Sequence, residues 1–69
     1  MADRIDNVVE KLRLQSHWTQ EQLAERVQVT RQTIIAIERG NYSPSVALAL
    51  RLAQALKTSV EELFWIKKI

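Results

Sequence analysis

The sequence predicts an all-α fold, a compact five-helix bundle built around a central helix-turn-helix. Three observations carry that expectation. Apolar residues recur at helical spacing along nearly the whole chain, and β-branched residues never alternate with polar ones for long. Threonine or serine stands where each of the last four helices would start, at Thr19, Thr30, Ser43 or Ser45, and Ser59. The only glycine and the only proline fall together in Gly40-Asn41-Tyr42-Ser43-Pro44, which makes that segment the strongest break.

The first helix is expected over residues 3–15, with Ile5, Val8, Val9 and Leu12 on one stripe. Asp3 near its start and Lys11 and Arg13 near its end complement the helix dipole. In the second, over residues 20–27, Thr19 and Gln22 can form a capping box, and Trp18 and Leu23 a hydrophobic staple. Its inward residues are Leu23, Ala24 and Val27, and the short link Gln28-Val29 makes the next helix cross it steeply. The third helix, over residues 31–39, is capped by Thr30, turns Ile34 and Ile37 inward and ends at Gly40 in a left-handed conformation. Pro44 is tolerated in the first turn of the fourth, whose stripe is Val46, Ala49, Leu50, Ala53 and Leu56. Leu48 and Leu52 lie on a different side, so this helix is apolar around most of its circumference. Ser59 opens a short fifth helix with a second capping box to Glu62, and Val60, Leu63 and Phe64 form its apolar face.

A chain of 69 residues makes one domain, 1–69, with the motif at 19–39. Such a chain buries roughly 60% of its unfolded surface and is marginally stable. The absence of cysteine rules out a disulfide or cysteine-zinc staple and suits a reducing cytosol. No apolar run approaches the roughly 18 residues of a membrane span, and the N-terminal MADRIDNVVEK lacks the order of a signal peptide. A soluble, cytoplasmic protein without a membrane partner is expected. The net charge of +2 is small, but residues 30–58 carry Arg31, Arg39, Arg51 and Lys57 against Glu38 alone. Such an uneven distribution is the footprint of a polyanion binder, although a solvated basic face looks the same.

Nothing supports an enzyme: no catalytic residue, metal or cofactor is expected. His17 is the only histidine and stands between two helices as a helix-ending residue. No cluster has metal-ligand spacing, Glu61 and Glu62 diverge on their helix, and one glycine cannot build a phosphate loop. The third helix is more informative. With Ile34 and Ile37 inward, Gln32, Ile35, Ala36 and Arg39 face outward, and Thr30 and Arg31 stand at the leading end. Arginine can pair with guanine, glutamine with adenine, and small or apolar groups with the thymine methyl in the major groove.

The span from Leu12 to Phe64 resembles the helix-turn-helix domain of the phage Cro and repressor class, also called xenobiotic-response-element-like regulators. Leu12-Arg13, Thr19-Gln20-Glu21-Gln22-Leu23-Ala24, Val29-Thr30-Arg31-Gln32-Thr33-Ile34, Ile37-Glu38-Arg39-Gly40, Pro44-Ser45 and Ser59-Val60-Glu61-Glu62-Leu63 carry the resemblance. It implies that Gln20 binds a phosphate and braces the recognition helix, and that Arg31, Gln32 and Ala36 read bases. Thr30 and Thr33 would meet phosphate or a base edge, and Arg39 and the loop Asn41, Tyr42 and Ser43 the DNA backbone. Arg13 and Glu38 match a family salt bridge expected to be buried and structural. The chain departs from the family at Ile35, where a small polar residue is usual; this side chain could meet a thymine methyl or the sugar-phosphate chain. It also departs at His17, Gln28 and Lys57, where glycine is usual, so tighter or altered turns are expected there.

The resemblance implies double-stranded DNA as partner, and a homodimer on an inverted repeat is expected; with no room for a ligand-sensing domain in 69 residues, no small-molecule ligand is expected. Leu48, Leu52 and the tail 64–69, including Phe64, Trp65 and Ile66, exceed what one small core can cover and are the expected dimer surface. Closure of the protomer's own core by Phe64 and Trp65 is the alternative for the tail. An antitoxin or protein-interaction adaptor with the same fold is the alternative function.

Overall fold

The computed structural model describes residues 4–67. The elements in order are β1 (Arg4–Asn7), α1 (Val9–Gln15), α2 (Gln20–Arg26), α3 (Arg31–Glu38), α4 (Val46–Ala55), α5 (Val60–Leu63) and β2 (Phe64–Lys67). The five helices follow the expected order. Four begin at hydroxyl caps: Thr19, Thr30, Ser45 and Ser59 accept the amides of Gln22, Thr33, Leu48 and Glu62 respectively. At Thr19 the box is reciprocal, because the Thr19 amide donates to the Gln22 side chain at 2.9 Å. At Ser59 only half of the expected box forms: the Glu62 carboxylate instead accepts the hydroxyls of Thr58 and Ser59 at 3.2 Å each. Pro44 precedes the Ser45 cap rather than entering the first turn of α4.

Two expectations are corrected. Residues Arg4–Asn7 form a strand, not the first turns of α1, and β1 pairs antiparallel with β2 in the register Arg4↔Lys67, Ile5↔Ile66, Asp6↔Trp65, Asn7↔Phe64. Asn7 accounts for the break. Its Oδ1 accepts the Val9 amide at 3.0 Å while its Nδ2 donates to the Ile37 carbonyl at 3.0 Å, tying the strand end to α3. The strand's partner is some sixty residues away, beyond the reach of a local pattern. Asp3, Lys68 and Ile69, named in the expected helix and tail, lie outside the described residues.

The second correction is the rotation of α4. Leu48, Ala49, Leu52, Ala53 and Leu56 are buried, whereas Val46 and Leu50 are 78% and 52% exposed. A helix with apolar residues on several sides has no single best inward face, so its neighbours decide. Leu48 and Leu52 therefore belong to the protomer's core and offer no dimer surface. That core also contains Val9, Leu23, Ala24, Val27, Ile34, Ile37 and Leu63, with Trp18 and Phe64 packed against it.

Tighter turns do not occur at the non-glycine positions. His17, Gln28 and Lys57 keep the left-handed backbone, with φ of 59°, 63° and 58°, beside Gly40 at 78°. At each of the four, paired amides close the helix end: for Gln28, its own amide reaches the Glu25 carbonyl at 3.3 Å and the Val29 amide the Ala24 carbonyl at 3.0 Å. Two backbone bonds per turn outweigh the Cβ clash, which costs roughly 1–2 kcal/mol per residue. Glycine removes the clash but has more chain entropy to lose, roughly 0.5–1 kcal/mol. The triple variant His17→Gly, Gln28→Gly, Lys57→Gly is expected to gain about 1–2 kcal/mol, seen in thermal unfolding as a midpoint several degrees higher. A lower midpoint would show that the side chains hold these turns.

Candidate nucleic-acid interface

Burial divides α3 sharply. Ile34 and Ile37 are fully buried, Arg31, Gln32 and Arg39 are exposed, and Thr33, Ile35 and Ala36 are half-buried. The outward residues expected from the sequence do share one surface, because the inward pair pins the helix rotation. Two shallow clefts flank it. One is lined by Gln32, Thr33, Ala36 and Tyr42, which brings the loop phenol beside the middle of the helix. The other is lined by Glu10, Gln20, Arg31, Ile35, Glu38 and Arg39. Thr30 and Thr33 share a hydroxyl-hydroxyl bond of 3.2 Å at the leading end. Asn41 and Ser43 are exposed in the loop beyond Gly40.

A buried ionic hub supports this face from behind. Arg13 is 7% exposed; its Nε donates to Glu38 Oε2 at 2.8 Å and its Nη2 to Glu38 Oε1 at 3.3 Å. Its Nη1 donates to the Trp18 carbonyl at 2.8 Å, in the turn before the Thr19 cap. Gln20 Nε2 donates to Glu38 Oε1 at 3.0 Å, which leaves the second amide proton for an outside acceptor. One guanidinium thus links α1, the start of α2 and the end of α3 through a planar fork that lysine cannot reproduce. Among the described residues no buried polar side-chain atom lacks a partner.

Sequence reasoning missed Asn7, whose strand-to-α3 bridge depends on the chain's two ends meeting, and Glu10, which adds a carboxylate to the Gln20 cleft. The helical spacing of Glu10 and Arg13 was the available signal for the second. Of the expected dimer residues, Leu48 and Leu52 are buried and Phe64 packs on the core, while Trp65 and Ile66 are 42% and 59% exposed. The described residues hold no group of three metal-ligating side chains and no helix long and apolar enough to cross a membrane.

The chain matches the helix-turn-helix family over residues 9–63. It is 45% identical over 62 residues to the uncharacterized HTH-type transcriptional regulator YgzD of Bacillus subtilis, a match covering 90% of this chain and 94% of that one. An HTH-type transcriptional regulator of Methanothermobacter thermautotrophicus is 64% identical over 47 residues, covering 67% and 68%. Among solved structures, the restriction-modification controller protein C.AhdI from Aeromonas hydrophila superposes with a TM-score of 0.75 at 34% identity, over 81% of this chain and 85% of that one. The clp gene regulator ClgR from Corynebacterium glutamicum gives 0.72 at 28% identity, over 77% of this chain but 56% of that one. With motif residues, family match and backbone in agreement, this chain belongs to the helix-turn-helix family of Cro/C1-type transcriptional regulators.

Proposed function

We propose that the protein binds double-stranded DNA sequence-specifically, with α3 in the major groove, and acts as a homodimer on an inverted-repeat operator. The observation that carries this is the exposed face of α3 between its two flanking clefts, held by the Arg13–Glu38–Gln20 hub. Arg31 and Gln32 are the hydrogen-bonding readers, and Ile35 and Ala36 supply apolar contact for a thymine methyl. Gln20, Thr30, Thr33, Arg39, Asn41, Tyr42 and Ser43 grip the backbone on either side and set the register. Two such helices about 34 Å apart would enter successive major grooves, and occupancy would then block or recruit polymerase. The dimer surface is revised to exposed apolar residues of α4 and β2, Val46, Leu50, Trp65 and Ile66.

Selection of bound duplexes from a random pool reads specificity, half-site spacing and symmetry together. Gln32→Ala is expected to relax preference at one base position by about 1–3 kcal/mol, whereas Gln20→Ala weakens all sites alike. Unchanged preference after replacing both Arg31 and Gln32 would overturn the assignment. The exposed apolar residues also fit a different protein partner, as an antitoxin or adaptor would need. An affinity for DNA that does not fall with added salt would favour that second reading.

A further inference from the structure

Beyond the C-terminal end of α3 lie two cations to which the recognition face assigns no role. Arg4 and Lys67 stand directly opposite each other at the open end of the β1/β2 ladder, and both are exposed. Opposed residues of an antiparallel pair project from the same face, and like charges placed so are destabilising. With Asp6, Glu38, Arg39 and Gly40, they line a cleft of about 220 Å³. Its two carboxylates are already engaged. Glu38 takes the Arg13 guanidinium and the Gln20 amide, and Asp6 Oδ1 accepts the Asn7 amide at 2.9 Å. With Glu38 offset by Arg13, the cations Arg4, Arg39 and Lys67 face the single charge of Asp6, and positive charge is in excess.

This cleft joins the recognition face. Glu38 and Arg39 also line the cleft that holds Gln20, Arg31 and Ile35. From Arg31 to Arg39 the helix rises about 12 Å, close to the roughly 12 Å width of the major groove. A helix with its leading end among the bases thus brings its trailing end to the phosphate rim.

We propose that Arg4 and Lys67, with Arg39, form a second site for DNA backbone phosphates at the edge of each half-site. The site rests on the reading that α3 enters the major groove. A phosphate between the two cations would offset the repulsion that the register imposes. Because Arg4 and Lys67 meet only when β1 and β2 pair, the terminal sheet becomes part of the DNA-binding surface rather than a clasp alone.

The test uses the full chain carrying Arg4→Gln and Lys67→Gln, and a duplex that the unmodified protein has selected from a random pool. Binding is measured from about 50 to 300 mM salt, where each lost phosphate contact removes roughly 0.9 from the slope of log K against log salt. Because one phosphate lies between the two cations, the expected slope is shallower by about 0.9 per bound protomer, with affinity about tenfold weaker at 0.1 M salt. Base preference should be unchanged and the thermal midpoint equal or higher, since an opposed like-charge pair is gone. The charge-keeping pair Arg4→Lys and Lys67→Arg should retain the original slope. A double-glutamine variant with the original slope, or one that loses its fold, would overturn the phosphate site while leaving the groove reading intact. Failure of the unmodified protein to select any sequence would overturn both.

Discussion

Arg13→Ala is expected to cost about 3–5 kcal/mol, because it strands a buried carboxylate without its counter-charge. The Glu38 side chain is only 4% exposed and the Arg13 side chain 8%. A domain of this size has about 3–10 kcal/mol of stability in total, so the variant should be largely unfolded or close to it at room temperature. Urea denaturation at constant m-value measures the loss. Replacing both charges with apolar residues, Arg13→Met with Glu38→Leu, should cost far less, since neither charge then has to leave water. That double variant separates folding from function. Gln20 would lose the partner that orients its amide, so affinity should fall similarly at all sites while the fold survives. An Arg13→Ala protein as stable as the unmodified one would mean that water reaches and screens Glu38.

Leu52→Ala is expected to cost about 2–5 kcal/mol at any protein concentration, the usual result of opening a cavity in a closed core. Leu50→Ala, two residues earlier on the same helix, should stay within about 0.5 kcal/mol for the protomer. Leu52 is fully buried and Leu50 half exposed. Self-association should respond in the opposite order. If the proposed dimer forms through this face, Leu50→Asp with Val46→Asp should lower its population in sedimentation, whereas Leu52→Ala should act only through unfolding. A concentration-dependent loss at Leu52 would restore it to an interface between protomers.

The starts of α2 to α5 were legible because a cap is a local device. A hydroxyl at the N-cap meets an amide three residues on, so Thr19, Thr30 and Ser59 announced their helices, with Ser45 one of two candidates for its own. The partition of α3 was legible for a similar reason: Ile34 and Ile37 are its only large apolar pair at inward spacing, and fixing them turns Arg31 and Gln32 outward. Arg13 and Glu38 were paired by resemblance, since nothing local joins residues 25 apart. At α4 the pattern failed because two apolar stripes compete on one helix, and only Val46 and Leu50 remained outside when the neighbours packed.

The sequence by itself determined where the last four helices start, what turns α2 into α3, and which residues α3 shows to solvent. Each depends on interactions reaching no further than about four residues along the chain. The tertiary structure alone decided the pairing of β1 with β2, the facing of α4, the retention of left-handed turns at three non-glycine residues, and the cation cluster beside Arg39. Those outcomes depend on partners far away in the chain or on packing that outweighs a local cost. Their energies exist only once the chain has closed on itself.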